Sequence, residues 1–229
     1  MKNKKNSTLK RKPLITHPDV FIIESLSLKD EKKSTFDGKI LHNYLKLLKK
    51  EPIYYYIRTK RELIEMAKLV KESKYRYLYI SCHGNRNILR TTLDEIPFDT
   101  FSDIFKGALT HRRIFISGCE LGNSNFATSL FNKDTGIYSL TAPVKPVYFT
   151  QMLPFWSTFF YITSSFDVNK MKGSVIHPTL QLCSNIFNVD MAHFYRKTQN
   201  GELVEKKFDH ADMFSEEELN KILELKKLE

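Results

Sequence analysis

The chain has 229 residues, 41% of them hydrophobic, and a formal net charge of +10, which suits one globular α/β domain with a sizeable core. Its richest apolar stretch, Met152 to Ile162, is interrupted by Pro154, Ser157 and Thr158 and falls short of the roughly 20 residues of a membrane span. Three cysteines without CxxC spacing point to free thiols in a reducing, cytoplasmic compartment and away from a structural zinc site.

In chain order, residues 1–18 hold Lys2, Lys4, Lys5, Lys10, Arg11 and Lys12 and no acid, leaving only +4 for the remainder. They read as a disordered basic tail before a single domain over 19–229, and no apolar signal region follows them. Nucleic acid, if bound at all, is expected through this tail. Val20 to Ile23 reads as a first strand, and the charged segment Ser27 to Asp37 as a linker. Ile40, Leu41, Tyr44, Leu45 and Leu48 recur at helical spacing. Ile53 to Ile57 is a second strand after Pro52. Thr59 and Glu62 form a capping box for a helix that buries Leu63, Met66, Ala67 and Val70. Tyr77 to Ile80 is a third strand, and the β-α-β-α-β series implies right-handed crossovers and a parallel sheet.

Ile88 to Phe98 reads as a small hairpin or loop, after which Asp99 or Thr100 caps a short helix carrying Phe101, Ile104 and Phe105. Ile114 to Ile116 is a further strand. Asn123 or Ser124 opens a helix with Phe126, Ala127, Leu130 and Phe131 on one face. Ile137 to Leu140 is a fifth strand, and Pro154 suits the first turn of an aromatic helix. There, Phe155, Trp156, Phe159 and Phe160 are read as core, with a partner surface as the alternative. Val175 to Phe187 is helical and Met191 to Tyr195 a sixth strand. Asn200-Gly201 signals a type I′ turn joining Tyr195–Lys197 to Leu203–Val204. Ser215 and Glu218 cap a last helix with Leu219, Ile222, Leu223 and Leu225.

The strands at Tyr77–Ile80 and Ile114–Ile116 end alike, each breaking into small residues around one chemically able side chain. The first ends in Ser81-Cys82-His83-Gly84, the second in Ser117-Gly118-Cys119-Glu120-Leu121-Gly122. Parallel neighbours lie about 4.8 Å apart, so His83 and Cys119 are expected side by side past the carboxyl ends of their strands, where open α/β sheets carry working groups. A thiol beside an imidazole is a nucleophile beside its base. A cysteine after an apolar strand is by itself usually packing, and Cys82, pointing to the opposite face from His83, is read that way. The helix after Cys119 is expected to aim its N-terminus at the thiol.

These two motifs resemble those of the caspase-like (clan CD) cysteine peptidases, most nearly the CHAT family. Its members pair a strand ending in Cys-His-Gly with one ending in Ser-Ala-Cys-Glu-Thr-Gly. This chain departs at Gly118 and Leu121, and the resemblance runs in element order from Val20 to Arg196. It implies a caspase-like three-layer sandwich, with a mostly parallel central sheet of about six strands flanked by helices. It also implies a cysteine endopeptidase acting on a protein or peptide without cofactor or metal. Cys119 would attack the scissile carbonyl, His83 would move the proton, and the N–H groups of Gly84 and Cys119 would form an oxyanion hole. The pocket would be walled by Ser117, Gly118, Thr141 and Ala142, which favours a neutral or apolar P1 residue. No third catalytic residue stands out: Asp94, Glu95 and Asp99 read as surface or caps, and Glu120 as structural.

The resemblance further implies restraint by a regulatory partner or by self-association into a homo-oligomer, and a place in antiviral defence. The segments Ser27–Asp37 and Asn85–Asp99 are then candidate mobile loops, and Phe155–Tyr161 and the C-terminal helix candidate docking faces. Two other classes are weighed beside this one. An inactive caspase-like scaffold is disfavoured by the intact His83 and Cys119. A nucleic-acid-binding protein is disfavoured by the lack of a binding motif outside the tail.

Overall fold

Strand alternation sorts the sheet's side chains into two separate cores. The structure, a computed structural model, describes residues 16–166, 171–197, 199 and 201–211. Its first elements are β1 (His17–Ser25), α1 (Leu28–Lys32), α2 (Asp37–Leu47), β2 (Ile53–Tyr56), α3 (Lys60–Glu72) and β3 (Tyr75–Gly84). A hairpin of β4 (Ile88–Arg90) and β5 (Glu95–Pro97) precedes α4 (Phe98–Ile104), β6 (Arg113–Ser117), α5 (Ser124–Asn132) and β7 (Ser139–Pro143). The helices α6 (Phe149–Phe166) and α7 (Gly173–Phe187) and the strands β8 (Met191–Arg196) and β9 (Leu203–Phe208) follow.

The strand order is β2-β1-β3-β6-β7-β8-β9. It is parallel from β2 to β7 and antiparallel from β7 to β9. On one face, Phe21, Ile23, Leu78, Ile80, Ile114 and Ile116 pack against α3, α4 and α5 through Leu63, Phe101 and Phe126. On the other, Val20, Ile22, Tyr77, Tyr79 and Phe115 pack against α2, α6 and α7 through Leu41, Trp156 and Leu180. Full burial of one such Leu, Ile or Phe contributes about 1.5–3 kcal/mol. Arg112 is buried beneath this framework, donating to the carbonyls of Ser73, Tyr75 and Ala108 at 2.6, 3.0 and 3.0 Å and tying the entries of β3 and β6 together. Among the described residues, no helix is long and apolar enough to cross a membrane.

Several local expectations change. His17 and Pro18, read as tail, already belong to β1. The supposed linker carries α1, because Ser27 caps it by accepting from the Asp30 N–H at 3.2 Å. The capping box of Thr59 and Glu62 is present. Asp99 does not cap α4, which starts at Phe98 behind Pro97; its carboxylate accepts from Ser129 Oγ instead. β7 begins two residues later than the expected strand and runs to Pro143. Pro154 lies inside α6 rather than in its first turn, since the helix starts at Phe149.

Phe155, Trp156, Phe159 and Phe160 are all fully buried core, which removes them as a docking face. The β8–β9 hairpin has the expected partners, Tyr195 with Val204 and Arg196 with Leu203. The Lys197 N–H donates to the Glu202 carbonyl, and Asn200 of the expected type I′ turn lies outside the described residues. The helix expected from Ser215 lies outside the described residues.

Candidate active site

The site follows from register. Tyr79 pairs with Phe115 and Ser81 with Ser117 across β3 and β6. One strand period further on, His83 and Cys119 leave the two strands on the face that packs α2 and α6. Both border a cavity of about 250 Å³. Its floor includes Ser117 and Gly118, and its far wall Val147, Phe149 and Met152. Cys82 also borders it but is buried in the opposite core.

A third polar residue joins the pair. His83 Nε2 lies 2.7 Å from Asp30 Oδ2, on α1. Burial pushes the Asp30 carboxyl up, but hydrogen bonds from Ser27 and His83 outweigh it and hold the group below the usual carboxylate range. An ionised carboxylate only accepts, so Nε2 carries the hydrogen and the lone pair falls on Nδ1. Sequence reasoning missed Asp30 because it sits 53 residues before His83, in a segment whose charges suggested solvent. The one available signal was Ser27 three residues earlier, a helix cap that fixes where the carboxylate points.

The other acids have different roles. Asp94 accepts from the Lys60 N–H at 2.7 Å and Glu95 pairs with Arg90 at 2.7 Å. Glu120 pairs with Arg86 at 2.8 Å. Its φ of +57° is left-handed, a strained turn for a residue with a side chain, directly after Cys119.

Cys119 Sγ is engaged by the backbone of Val147, with the Val147 N–H and carbonyl both at 3.4 Å, and not by the His83 ring. Phe149 meets His83 edge-on, with ring centroids 5.4 Å apart. The segment from Val147 to Phe149 therefore lies across both chemically able groups. Gly84 ends β3 opposite Leu89 of β4 and does not border the cavity. Thr141 and Ala142, expected in the pocket, are buried within β7; Thr141 hydrogen-bonds His193 at 2.8 Å. The later start of β7 is the reason, because it moves both residues from the strand end into the ladder.

The two departures from the CHAT-like motif are sterically linked. A Cβ on Gly118 would lie 2.8 Å from Leu121 Cδ1 and 2.7 Å from the Cys82 carbonyl oxygen. A Cβ on Gly84 would lie 2.8 Å from Leu121 Cδ2. The large Leu121 wedges between the two motifs and both neighbours are glycine.

Behind the floor sits a buried acid pair. Asp37 accepts from Ser81, Ser117 and Tyr79 at 2.5, 3.0 and 3.2 Å. Glu24 accepts from the Gly38 N–H at 2.8 Å and Tyr54 at 2.7 Å. Burial, followed by the charge of Asp37, pushes the Glu24 carboxyl up to about 8. Burial raises Asp37 as well. Both carboxyls are thus pushed above the ordinary carboxylate range, and Asp37 is satisfied by three hydroxyls without opening on the cavity.

No family model and no curated protein sequence matches the chain. Solved structures similar to the chain include the following two. One is a secreted C11 cysteine protease from Bacteroides thetaiotaomicron, "iotapain", with TM-score 0.50 and 12% identity over 80% of this chain and 67% of that one. The other is caspase-1 from Spodoptera frugiperda, with TM-score 0.48 and 13% identity over 87% and 93% of the two chains. With its central sheet between two helical layers, the chain has a mixed α/β fold similar to that of the C11 cysteine protease.

Proposed function

We propose that the chain is a cysteine endopeptidase of the caspase-like group, nearest to the CHAT family, that cleaves a protein or peptide through Cys119, His83 and Asp30. The observation that carries this reading is the Asp30–His83 hydrogen bond at 2.7 Å beside a cavity that Cys119 also borders. An imidazole whose Nε2 is pinned by a carboxylate presents Nδ1 as its working nitrogen. Nδ1 takes the thiol proton as Cys119 attacks the scissile carbonyl, and returns it to the leaving amine. Asp30 holds the tautomer and stabilises the imidazolium. The N–H of Cys119 stabilises the developing oxyanion. Water then hydrolyses the thioester with His83 as base.

The resting chain is latent in this proposal. Cys119 Sγ is held by Val147 and Phe149 packs edge-on against His83, so the segment must lift before the thiol reaches the imidazole. A regulatory partner or a second copy would lift it, which fits a protease under control in a reducing cytoplasm and, by the motif resemblance, in defence. The small floor of Ser117 and Gly118 and the apolar Met152, with Asp37 satisfied beneath Ser117, support a neutral or apolar P1 side chain. The test is turnover of a broad peptide library by the full chain and by Cys119→Ala, with and without neighbouring-gene proteins. Cleavage that needs Cys119 supports the proposal; no cleavage under any condition, or cleavage that survives Cys119→Ala, overturns it.

A further inference from the structure

The segment that carries Asp30 has no hydrophobic anchor of its own. Leu26 and Asp37 are buried, but none of residues 27–36 is. Helix α1 has 5 residues, and its first, Leu28, is 60% exposed. A helix this short is not stable by itself. The direction of the Asp30 carboxylate must therefore be set by polar contacts.

Those contacts come from both sides of β1. The sheet order places β2 on one side of β1 and β3 on the other, and α1 starts just past the end of β1. Neighbouring residues on a helix point about 100° apart, so Asp30 and Glu31 face different strands. Asp30 reaches His83 at the end of β3, at 2.7 Å. Glu31 reaches toward the end of β2. Its Oε1 accepts from the Tyr56 hydroxyl and from Arg58 Nε at 2.9 Å, and its Oε2 accepts from Arg58 Nη2 at 2.7 Å. The Tyr56 hydroxyl also accepts from the Leu26 N–H at 3.4 Å, and Phe36 meets the Tyr56 ring edge-on with centroids 5.4 Å apart. Tyr56 thus touches the chain before, within and after α1.

An exposed ion pair usually contributes little, but a two-bond fork between arginine and a carboxylate is the exception. The Glu31 side chain is 12% exposed and that of Arg58 56%. The Tyr56 hydrogen bond, aided by Arg58, outweighs burial and holds the Glu31 carboxyl below the usual carboxylate range. Glu31 does not border the cavity that His83 and Cys119 share, so any effect it has on the site passes through α1.

We propose that Glu31 is a positioning residue: anchored to Tyr56 and Arg58, it holds α1 over the end of β1 and so keeps the Asp30 carboxylate on His83 Nε2. This role deepens the peptidase reading and rests on it. Without the Glu31 charge α1 is free to shift, Asp30 leaves the ring, and the hydrogen on Nε2 is no longer fixed there.

The first readout needs no turnover. Nitrogen-15 NMR of the full-length resting chain separates the hydrogen-bearing from the bare ring nitrogen of His83, with the signals assigned from their absence in His83→Gln. Wild type is expected to show two well-separated signals, the hydrogen on Nε2. In Glu31→Gln the two move toward each other as the tautomers average. Arg58→Gln, on the exposed side of the pair, is expected to move them the same way and serves if Glu31→Gln unfolds; thermal unfolding checks both. Signals already averaged in wild type, or unchanged in the folded variants, overturn the proposal.

The second readout is steady-state turnover in a double-mutant cycle with Asp30→Asn. Glu31→Gln is expected to lower kcat about threefold to tenfold with little change in KM, and by less than about twofold in the Asp30→Asn background. An equal loss in both backgrounds means that Glu31 does not act through Asp30, and overturns the positioning role. If wild type cleaves nothing, the peptidase reading falls, while the His83 signals still decide whether Glu31 holds Asp30 in place.

Discussion

Replacing Asp30 by Asn tests the assignment of the site most directly. Asn keeps the volume and an acceptor oxygen but loses the charge that assists the 2.7 Å bond to His83 Nε2. The Asp30 side chain is 20% exposed and that of His83 36%, so water screens the pair. The low end of the range for hydrogen bonds to charged groups applies, about 1.5–2 kcal/mol. That converts to a loss of about ten- to thirtyfold in kcat, well below the roughly 10⁴ seen where a fully buried aspartate orients a histidine. Asp30 acts through His83, so the loss should fall on kcat with little change in KM. The assay is steady-state turnover of a cleaved peptide by wild type and variant under the same activating condition, with thermal unfolding to confirm the fold. An unchanged kcat in folded protein, or a loss confined to KM, refutes the orienting role. The same carboxylate carries a linkage: its folded pKa is depressed, so its stabilisation is present above the unfolded value, about 3.9, and is lost as the pH falls through the folded value.

Limited alkylation at neutral pH should label Cys119 before Cys82 and Cys183, because both others are buried; burial raises both pKa values, that of Cys183 to about 12. Mass spectrometry of the labelled peptides decides, and first labelling at Cys183 would count against Cys119 as the reactive thiol. Phe149→Ala should raise turnover of the isolated chain by removing the edge contact that anchors the Val147–Phe149 segment to His83; equal or lower turnover in folded variant would speak against a restraining role for this segment. Glu24 binds a proton in the folded state up to about 8 but in the unfolded chain only to about 4.3, so this group's contribution to stability falls as the pH rises through that window. Glu24→Gln should flatten that slope in urea unfolding, and a slope identical to wild type would show that the acid pair is not its source. Gly118→Ala should destabilise by about 1–3 kcal/mol through its contacts with the Cys82 carbonyl and Leu121; a denaturation midpoint equal to wild type would exclude that clash.

The sequence by itself determined the strand-ending motifs and their alignment. Alternation along Tyr77 to His83 and along Phe115 to Cys119 is local, and small residues after β-branched and aromatic runs mark the strand ends. Those two facts were enough to bring His83 and Cys119 to one sheet edge, where both border the same cavity, and to send Cys82 into the opposite core. The capping box at Thr59 was equally legible, because both of its partners lie within one helical turn.

What only the tertiary structure decided depends on contacts between distant segments. Asp30 meets His83 because β1 and β3 are parallel neighbours and α1 starts just past the end of β1, a coincidence of sheet order that no local pattern encodes. The exclusion of Thr141 and Ala142 from the pocket rests on a two-residue shift in where β7 begins, set by pairing with β6 and β8 rather than by propensity. The acid pair joins Glu24 of β1 to Asp37 of α2, and only their common burial beneath Ser81 and Ser117 makes them differ from surface carboxylates. The ion pair of Glu31 and Arg58 joins α1 to the chain just after β2. Charge spread over such separations has no period to read, and the fold alone brings it to one place.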